Sequence, residues 1–181
     1  MIDWWSFLNR GYSNRSREVW EPSPKVISWG REFVEFHGVS DGLVLDVGSG
    51  TGFYCGVPSE DSEYGYYRGD VVGVDPFICM PVRDGIRGVG EFLPFRGGVF
   101  DVVFCVSALN HMIDYEGCIE EMFRVLKRGG RCFVGAESNR MRDSYHLWFP
   151  STNELIRALS PPFQHIKFRF DPCMCMFELV K

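Results

Sequence analysis

The sequence predicts an α/β fold in which helices cover both faces of a mostly parallel sheet. Three apolar runs support this prediction, because each has the near-continuous apolar character of a strand buried on both faces. They are Leu43–Val47, Val71–Val74 and Phe100–Val106. Apolar residues at helical spacing follow the third run and then another strand pattern begins, an order that is typical of right-handed parallel crossovers.

Alternating glycines directly follow the first run. Gly48, Gly50 and Gly52 allow the backbone to turn sharply and to approach a ligand where any Cβ would collide. A dinucleotide fingerprint would place its third glycine where this chain has Phe53, and the Asp46 carboxylate would repel phosphates. The loop therefore favours a nucleoside-like ligand with positive charge over a pyrophosphate.

A second carboxylate, Asp75, ends the second run. It comes about 20 residues after the glycines, where a carboxylate can accept hydrogen bonds from both hydroxyls of a ribose. A ribose without phosphates beside a positive centre describes S-adenosylmethionine. Unpaired carboxylates are costly in apolar surroundings, which favours a ligand role for Asp46 and Asp75. Ser49 and Thr51 have the alternative role of satisfying backbone groups in the turn.

Five motifs in this order resemble those of the class I S-adenosylmethionine-dependent methyltransferases. The closest resemblance is to the type 11 branch, which includes quinone-biosynthesis enzymes and many methyltransferases of surface-glycan clusters. Two motifs are the glycine-rich and ribose-binding segments above, and the others are an adenine-side segment, a fourth-strand segment and a helix-and-turn: Gly90–Phe95, Phe100–His111 and Arg124–Gly130. The resemblance implies a Rossmann-like, mostly parallel seven-stranded sheet with an antiparallel last strand and helices on both faces.

The resemblance also implies S-adenosylmethionine as the cofactor and distributes its contacts over these motifs. Val89 stands where relatives often carry an aspartate, which leaves adenine recognition to the backbone around Gly90 and Glu91 and to the Phe92 ring. No metal is expected. The expected cofactor-binding residues are Asp46, Gly48, Ser49, Gly50, Thr51, Gly52, Asp75, Pro76, Gly90, Glu91, Phe92, Cys105, Val106 and Ser107.

The remaining elements follow from local patterns. Glycines and prolines interrupt the stretches 53–69 and 76–90, so the first two crossover helices are expected to be shortened. An opening helix is predicted near Pro24. A later helix is predicted through Leu126, with Lys127 and Arg128 at its end and Gly129–Gly130 stopping it. The further predicted strands are Arg131–Gly135, His165–Phe170 and Cys173–Val180.

Composition limits the domain count and the class of partner. The 181 residues show no compositional break, which predicts a single domain, 1–181, with an N-terminal aromatic and basic arm, 1–23, that either forms a lid or simply packs. A net charge of −5 gives little support for nucleic acid. No stretch approaches a membrane span, so a soluble cytoplasmic protein is expected. Seven cysteines without a Cys-x-x-Cys motif favour buried reduced thiols.

Methyl transfer from a sulfonium depends mainly on positioning in a water-poor pocket, and a general base is needed only for some acceptors. His111 is the candidate base, because it follows the fourth strand at the carboxyl edge of the sheet. Its alternative roles are to pack the next helix or to line the cofactor. His146 follows the fifth strand and is a candidate substrate contact or a plain loop residue.

The predicted function is S-adenosylmethionine-dependent methyl transfer, by in-line displacement, to a small-molecule or glycan-type acceptor. The alternative is a catalytically inactive, methyltransferase-like binding protein or partner subunit. Quinone methylation is a third interpretation. It predicts a membrane association, for which the sequence gives no signal. The acceptor atom and the oligomeric state stay open at this stage.

Overall fold

The computed structural model describes residues 42–50, 70–76, 85–137, 146–148, 150–171 and 174–181. Seven strands and two α-helices lie in these ranges, together with a 3₁₀ turn at Leu109–His111. The helices are α1 (Tyr115–Val125) and α2 (Thr152–Leu159). The strands are β1 (Leu43–Val47), β2 (Asp70–Asp75), β3 (Gly85–Arg87), β4 (Phe100–Val106), β5 (Leu126–Glu137), β6 (His165–Asp171) and β7 (Met174–Val180).

The seven strands form one sheet in the order β3-β2-β1-β4-β5-β7-β6. Strands β1 to β5 pair in parallel, and β7 pairs antiparallel with both β5 and β6. The predicted Rossmann-like sheet with an antiparallel last strand is therefore confirmed. The strand order runs outward from β1 to β3 on one side, and the chain then returns to place β4 on the other side of β1. Ligands of open α/β sheets bind at such a switch point, outside the carboxyl ends of the strands.

Two apolar layers enclose the sheet. Successive side chains of a strand point to opposite faces, so Leu45 joins the layer that contains α1 and α2 while Val44 joins the other. On this second face Phe104 of β4 stacks on Phe133 of β5 with ring centroids 5.2 Å apart. The central strands are thus buried on both sides, as their continuous apolar sequences predicted.

Helix α1 begins at Asp114, whose carboxylate accepts a hydrogen bond from the Gly117 N–H at 2.9 Å. The helix buries Ile119, Met122 and Val125 against the sheet. Burying each of these side chains contributes about 1.5–3 kcal/mol. This packing fixes the segment between β4 and β5 at the carboxyl edge, where α1 starts.

The end of α1 differs from the sequence prediction. The helix ends at Val125, and Leu126, Lys127 and Arg128 belong to β5, which starts five residues earlier than the predicted Arg131. The reason is long-range, because Leu126 pairs with Phe100 of β4 across an irregular register.

The side chain of Lys181 stabilises this early helix end. Its ammonium donates to the carbonyl oxygens of Phe123 (2.7 Å) and Leu126 (2.8 Å) and lies 3.4 Å from that of Arg124. The last carbonyls of a helix have no partner within it, so a lysine here satisfies them and complements the helix dipole. Burial lowers the pKa of Lys181, and the nearby Arg124 and Arg128 charges add to that shift.

Several predictions fall outside the described residues. These are the N-terminal arm, the opening helix, the first crossover helix and most of the second. The single-domain prediction also stays a prediction. Within the described part, Cys105, Cys118, Cys132 and Cys175 are buried free thiols.

A charged pair ties α1 to the adenine-side segment. Arg124 donates to both Glu121 carboxylate oxygens, at 2.5 and 2.7 Å, and to the carbonyl oxygens of Leu93 (3.0 Å) and Phe95 (2.8 Å). Glu121 in turn accepts from the Leu93 N–H at 2.8 Å. The Arg124 hydrogen bond, helped by that N–H, lowers the pKa of Glu121 below its ordinary value of 4.5.

The pH dependence of stability tests this pair. A lowered folded-state pKa means that the stabilisation is fully present above pH 4.5 and is lost as the pH falls through the lowered value. We expect Glu121→Gln to lose about 1 kcal/mol of unfolding free energy at pH 7 and to approach wild type as the pH falls below the lowered pKa. Urea unfolding over a series of pH values measures this. A difference between the two proteins that does not change with pH would contradict the assignment.

Candidate active site

The polar residues that the sequence singled out converge on the carboxyl edge of the sheet. Gly48–Gly50 follow β1, Asp75 ends β2 and Ser107 follows β4. These three strands are neighbours in the sheet, with β1 in the middle. Their carboxyl ends therefore meet at the switch point, where the fold places a ligand crevice.

The glycine loop has two glycines with distinct roles. Gly48 has φ of 75°, and a Cβ there would lie 2.3 Å from the Ala108 Cβ, so the loop packs directly on the segment after β4. The Gly48 and Ser49 N–H groups both donate to the carbonyl oxygen of Val74. Gly50 has φ of 53°, and a Cβ there would meet no atom of the described residues within 4 Å. Gly48 thus holds the loop against the segment after β4, whereas Gly50 packs against none of the described residues.

The two carboxylates occupy different environments. Asp46 is 1% exposed, between Gly73 of β2 and Phe104 of β4 in the strand register. Asp75 accepts a hydrogen bond from the Gly50 N–H on its Oδ2 atom at 2.9 Å. The carboxylate of β2 therefore holds the tip of the glycine loop, and a carboxylate has capacity for further donors such as ribose hydroxyls.

Two serine hydroxyls at this edge are buried. The Oγ atoms of Ser49 and Ser107 have no hydrogen-bond partner within the described part of the chain. Ser107 also has φ of 54°, the single positive value for a non-glycine residue among those described. Buried hydroxyls and left-handed backbone both cost free energy, and such costs concentrate at functional sites. The two hydroxyls fit a polar ligand between β1 and β4.

The adenine-side residues divide between packing and exposure. A Cβ on Gly90 would lie 2.6 Å from the Cys118 Sγ, so this glycine permits close packing against α1. Glu91 is buried, and its Oε1 accepts from the N–H groups of Ile113 (2.8 Å) and Asp114 (3.4 Å). Phe92 is 61% exposed. Phe92 thus presents an exposed aromatic ring on this segment.

The other predicted cofactor contacts have mixed positions. Cys105 is fully buried in the core, so near a ligand it offers its backbone alone, whereas Val106 and Pro76 are half-buried at the strand ends. Thr51 and Gly52 lie outside the described residues. Assignment of the cofactor-binding residues stays a prediction.

His111 lies beside a second histidine at the same edge. Its ring stacks on that of His146, with centroids 4.6 Å apart and planes at 26°. The His146 Nε2 atom is 2.5 Å from Oε2 of Glu137, the last residue of β5. Sequence reasoning identified both histidines but missed Glu137, whose only signal was an acid at the end of a strand.

Asn110 connects the segments that carry these residues, and sequence reasoning missed this role too. Its side chain accepts from the Glu137 N–H (3.1 Å) and donates to the carbonyl oxygens of Glu137 (3.2 Å) and Trp148 (3.0 Å). Its carbonyl oxygen accepts from the N–H groups of Leu147 and Trp148. The Trp148 indole donates to the carbonyl oxygen of Met112. A buried asparagine therefore fixes three segments around the two histidines.

The sequence of the chain matches that of a known domain family. Residues 45–134 match the type 11 family described as "Methyltransferase domain". The chain belongs to the class I, type 11 methyltransferase family. The matched region begins in β1 and ends in β5, so it contains the glycine loop, Asp75 and His111.

A sequence relative agrees with the family assignment. The ubiquinone/menaquinone biosynthesis C-methyltransferase of Idiomarina loihiensis is 27% identical over 76% of this chain and 63% of its own length. The chain thus spans less than two thirds of that relative.

Solved structures share the fold. A methyltransferase of Thermotoga maritima, described as a possible histamine N-methyltransferase, gives a TM-score of 0.69 at 19% identity and covers 98% of this chain and 99% of its own. The 1,6-didemethyltoxoflavin-N1-methyltransferase of Burkholderia thailandensis was solved with S-adenosylhomocysteine. It gives a TM-score of 0.65 at 17% identity and covers 97% of this chain and 86% of its own.

Two further observations concern the described part of the chain. No helix there is long and apolar enough to cross a membrane. No group of three or more His, Cys, Asp and Glu side chains in those ranges is arranged to hold a metal ion.

Alanine substitutions at the two glycines separate their roles. Gly48→Ala adds a methyl group against Ala108 as well as left-handed strain, so we expect a loss of about 3 kcal/mol of unfolding free energy. A Cβ at Gly50 would meet no atom of the described residues, so we expect Gly50→Ala to lose about 1 kcal/mol because of backbone strain. Urea unfolding of both variants measures the difference. Equal losses would show that the loop does not pack on the segment after β4 as described.

Proposed function

We propose that this protein is an S-adenosylmethionine-dependent methyltransferase that acts on a small-molecule or glycan-type acceptor by in-line methyl transfer. The observation that carries the proposal is the hydrogen bond between Asp75 and Gly50, because it joins the ribose-binding and glycine-rich motifs at one crevice. The Ser49 and Ser107 hydroxyls are buried at the same edge of the sheet, and His111 follows β4 there with its ring stacked on that of His146.

The residues at the carboxyl edge fit the cofactor. When bound, S-adenosylmethionine supplies a methyl group on a positively charged sulfur. The Asp75 carboxylate would accept the ribose hydroxyls, and the exposed Phe92 ring would stack on the adenine. The ligand would lie beside Gly50, where a Cβ would contact none of the described residues, and the Ser49 and Ser107 hydroxyls would gain polar partners from it.

The protein itself would position the donor and the acceptor, exclude water from them and take up the acceptor proton. The segment 146–148 lies over the end of β4, where Asn110 holds it, and this cover limits the access of water to the acceptor side. His111 would take the proton of an acceptor hydroxyl or carbon acid, as a general base within reach of the crevice. In-line geometry then supplies most of the rate.

The acceptor class is supported by charge and by the known relatives. A net charge of −5 disfavours a nucleic acid substrate. The proteins compared above are named for C-methylation in quinone biosynthesis and for N-methylation of toxoflavin precursors and, as a possibility, histamine. All of these acceptors are small molecules. The motif residues present here give no support to the alternative of an inactive binding protein.

Isothermal titration with S-adenosylhomocysteine tests the cofactor site. We expect the wild type to bind, and Asp75→Ala to bind at least tenfold more weakly because it loses the ribose acceptor and the tie to Gly50. Asp70→Ala is the matched control, since Asp70 begins the same strand and is exposed at its opposite end. Absence of binding by folded wild type, or equal weakening in both variants, would contradict the proposal.

A further inference from the structure

We propose that Glu137 and His146 form a positioning pair that holds the His111 imidazole as the proton acceptor of methyl transfer. This inference rests on the proposed function and assigns Glu137 a role in it. Three contacts carry it: the Glu137–His146 pair, the stack of His146 on His111, and the Asn110 hydrogen bonds that fix both segments.

The Glu137–His146 contact determines which nitrogen of His146 carries a proton. A ring nitrogen and a carboxylate oxygen approach to 2.5 Å only with a proton between them, so Nε2 donates to Oε2. The His146 side chain is 3% exposed and that of Glu137 is 12% exposed, so water competes little for this hydrogen bond. A neutral His146 ring therefore has its lone pair on Nδ1.

The stacked His146 ring orients the His111 ring. The two rings lie face to face at 4.6 Å, which fixes the plane of the His111 ring. A face-to-face stack does not use the in-plane lone pairs of either ring. His111 is also anchored through its backbone, whose N–H donates to the carbonyl oxygen of Ala108 at 2.9 Å. Its position relative to the crevice is thus set from both the backbone and the ring face.

The Glu137 carboxylate also compensates the positive charge that His111 acquires when it takes the acceptor proton. The acceptor's electron pair forms the bond to the methyl carbon, the electrons of the broken carbon–sulfur bond stay on sulfur, and the acceptor proton passes to a ring nitrogen of His111. The imidazolium that results lies one ring away from the Glu137 carboxylate, whose negative charge compensates it in a buried setting. The proton then leaves to solvent.

The positioning pair is tested by comparing Glu137→Gln with wild type and with Glu120→Gln, a control at an exposed position on α1. Long-range ¹H–¹⁵N spectra of the imidazoles, recorded with saturating S-adenosylhomocysteine, report the protonated nitrogen of each ring, and His111→Asn and His146→Asn assign the signals. We expect wild type and Glu120→Gln to show His146 protonated at Nε2. We expect Glu137→Gln to mix its tautomers and to shift the ring signals of His111.

Methyl transfer supplies a second readout, with 1,4-dihydroxynaphthalene and histamine as trial acceptors. For Glu137→Gln we expect kcat to fall about 10–100-fold with KM within twofold, because the pair acts on proton transfer and not on binding. Unchanged His146 or His111 signals in Glu137→Gln, or equal kcat values, would overturn the inference. Failure of wild type to bind S-adenosylhomocysteine would instead contradict the proposed function, which the titration measures separately.

Discussion

The placement of β1 between two parallel neighbours determines where the polar residues that follow β1, β2 and β4 lie. Because β2 and β4 flank β1 in the same direction, the residues that follow all three strands emerge at one edge. The apolar strand interiors anchor this arrangement from both faces, and Val44, Leu45 and Val103 are fully buried. The hydrogen bond from Gly50 to Asp75 and the contact of Gly48 with Ala108 then close the edge around a crevice.

The crevice has two sides with different physical character. The side formed by β1 and β2 offers the Asp75 carboxylate and the glycine loop, which suit the sugar of a nucleoside-like cofactor. The side formed by β4 and β5 offers two stacked imidazoles and the Glu137 carboxylate, and the Asn110 amide holds the backbone of Glu137. We therefore propose that the cofactor binds at the first side and that proton transfer takes place at the second, and the switch point brings the two together.

Sequence patterns predicted six of the seven strands and the glycine and carboxylate positions, because these depend on local periodicity and on motifs within one connection. The family resemblance implied the mostly parallel sheet with its antiparallel last strand, and the short strand β3 was not predicted. Contacts between distant segments were not predictable in the same way. The start of β5 at Leu126 depends on pairing with Phe100, and the end of α1 depends on Lys181, which lies 55 residues beyond Leu126. The same limit applies to Glu137, whose partner His146 lies in a different segment.

A crystal structure of the protein with S-adenosylhomocysteine would show directly which residues face the cofactor. We expect the ribose hydroxyls to lie on Asp75, the adenine to lie against Phe92, and the sulfur to lie on the β4 side of the crevice, facing His111. A ligand bound away from Asp75, or a sulfur that faces away from the two histidines, would contradict this arrangement.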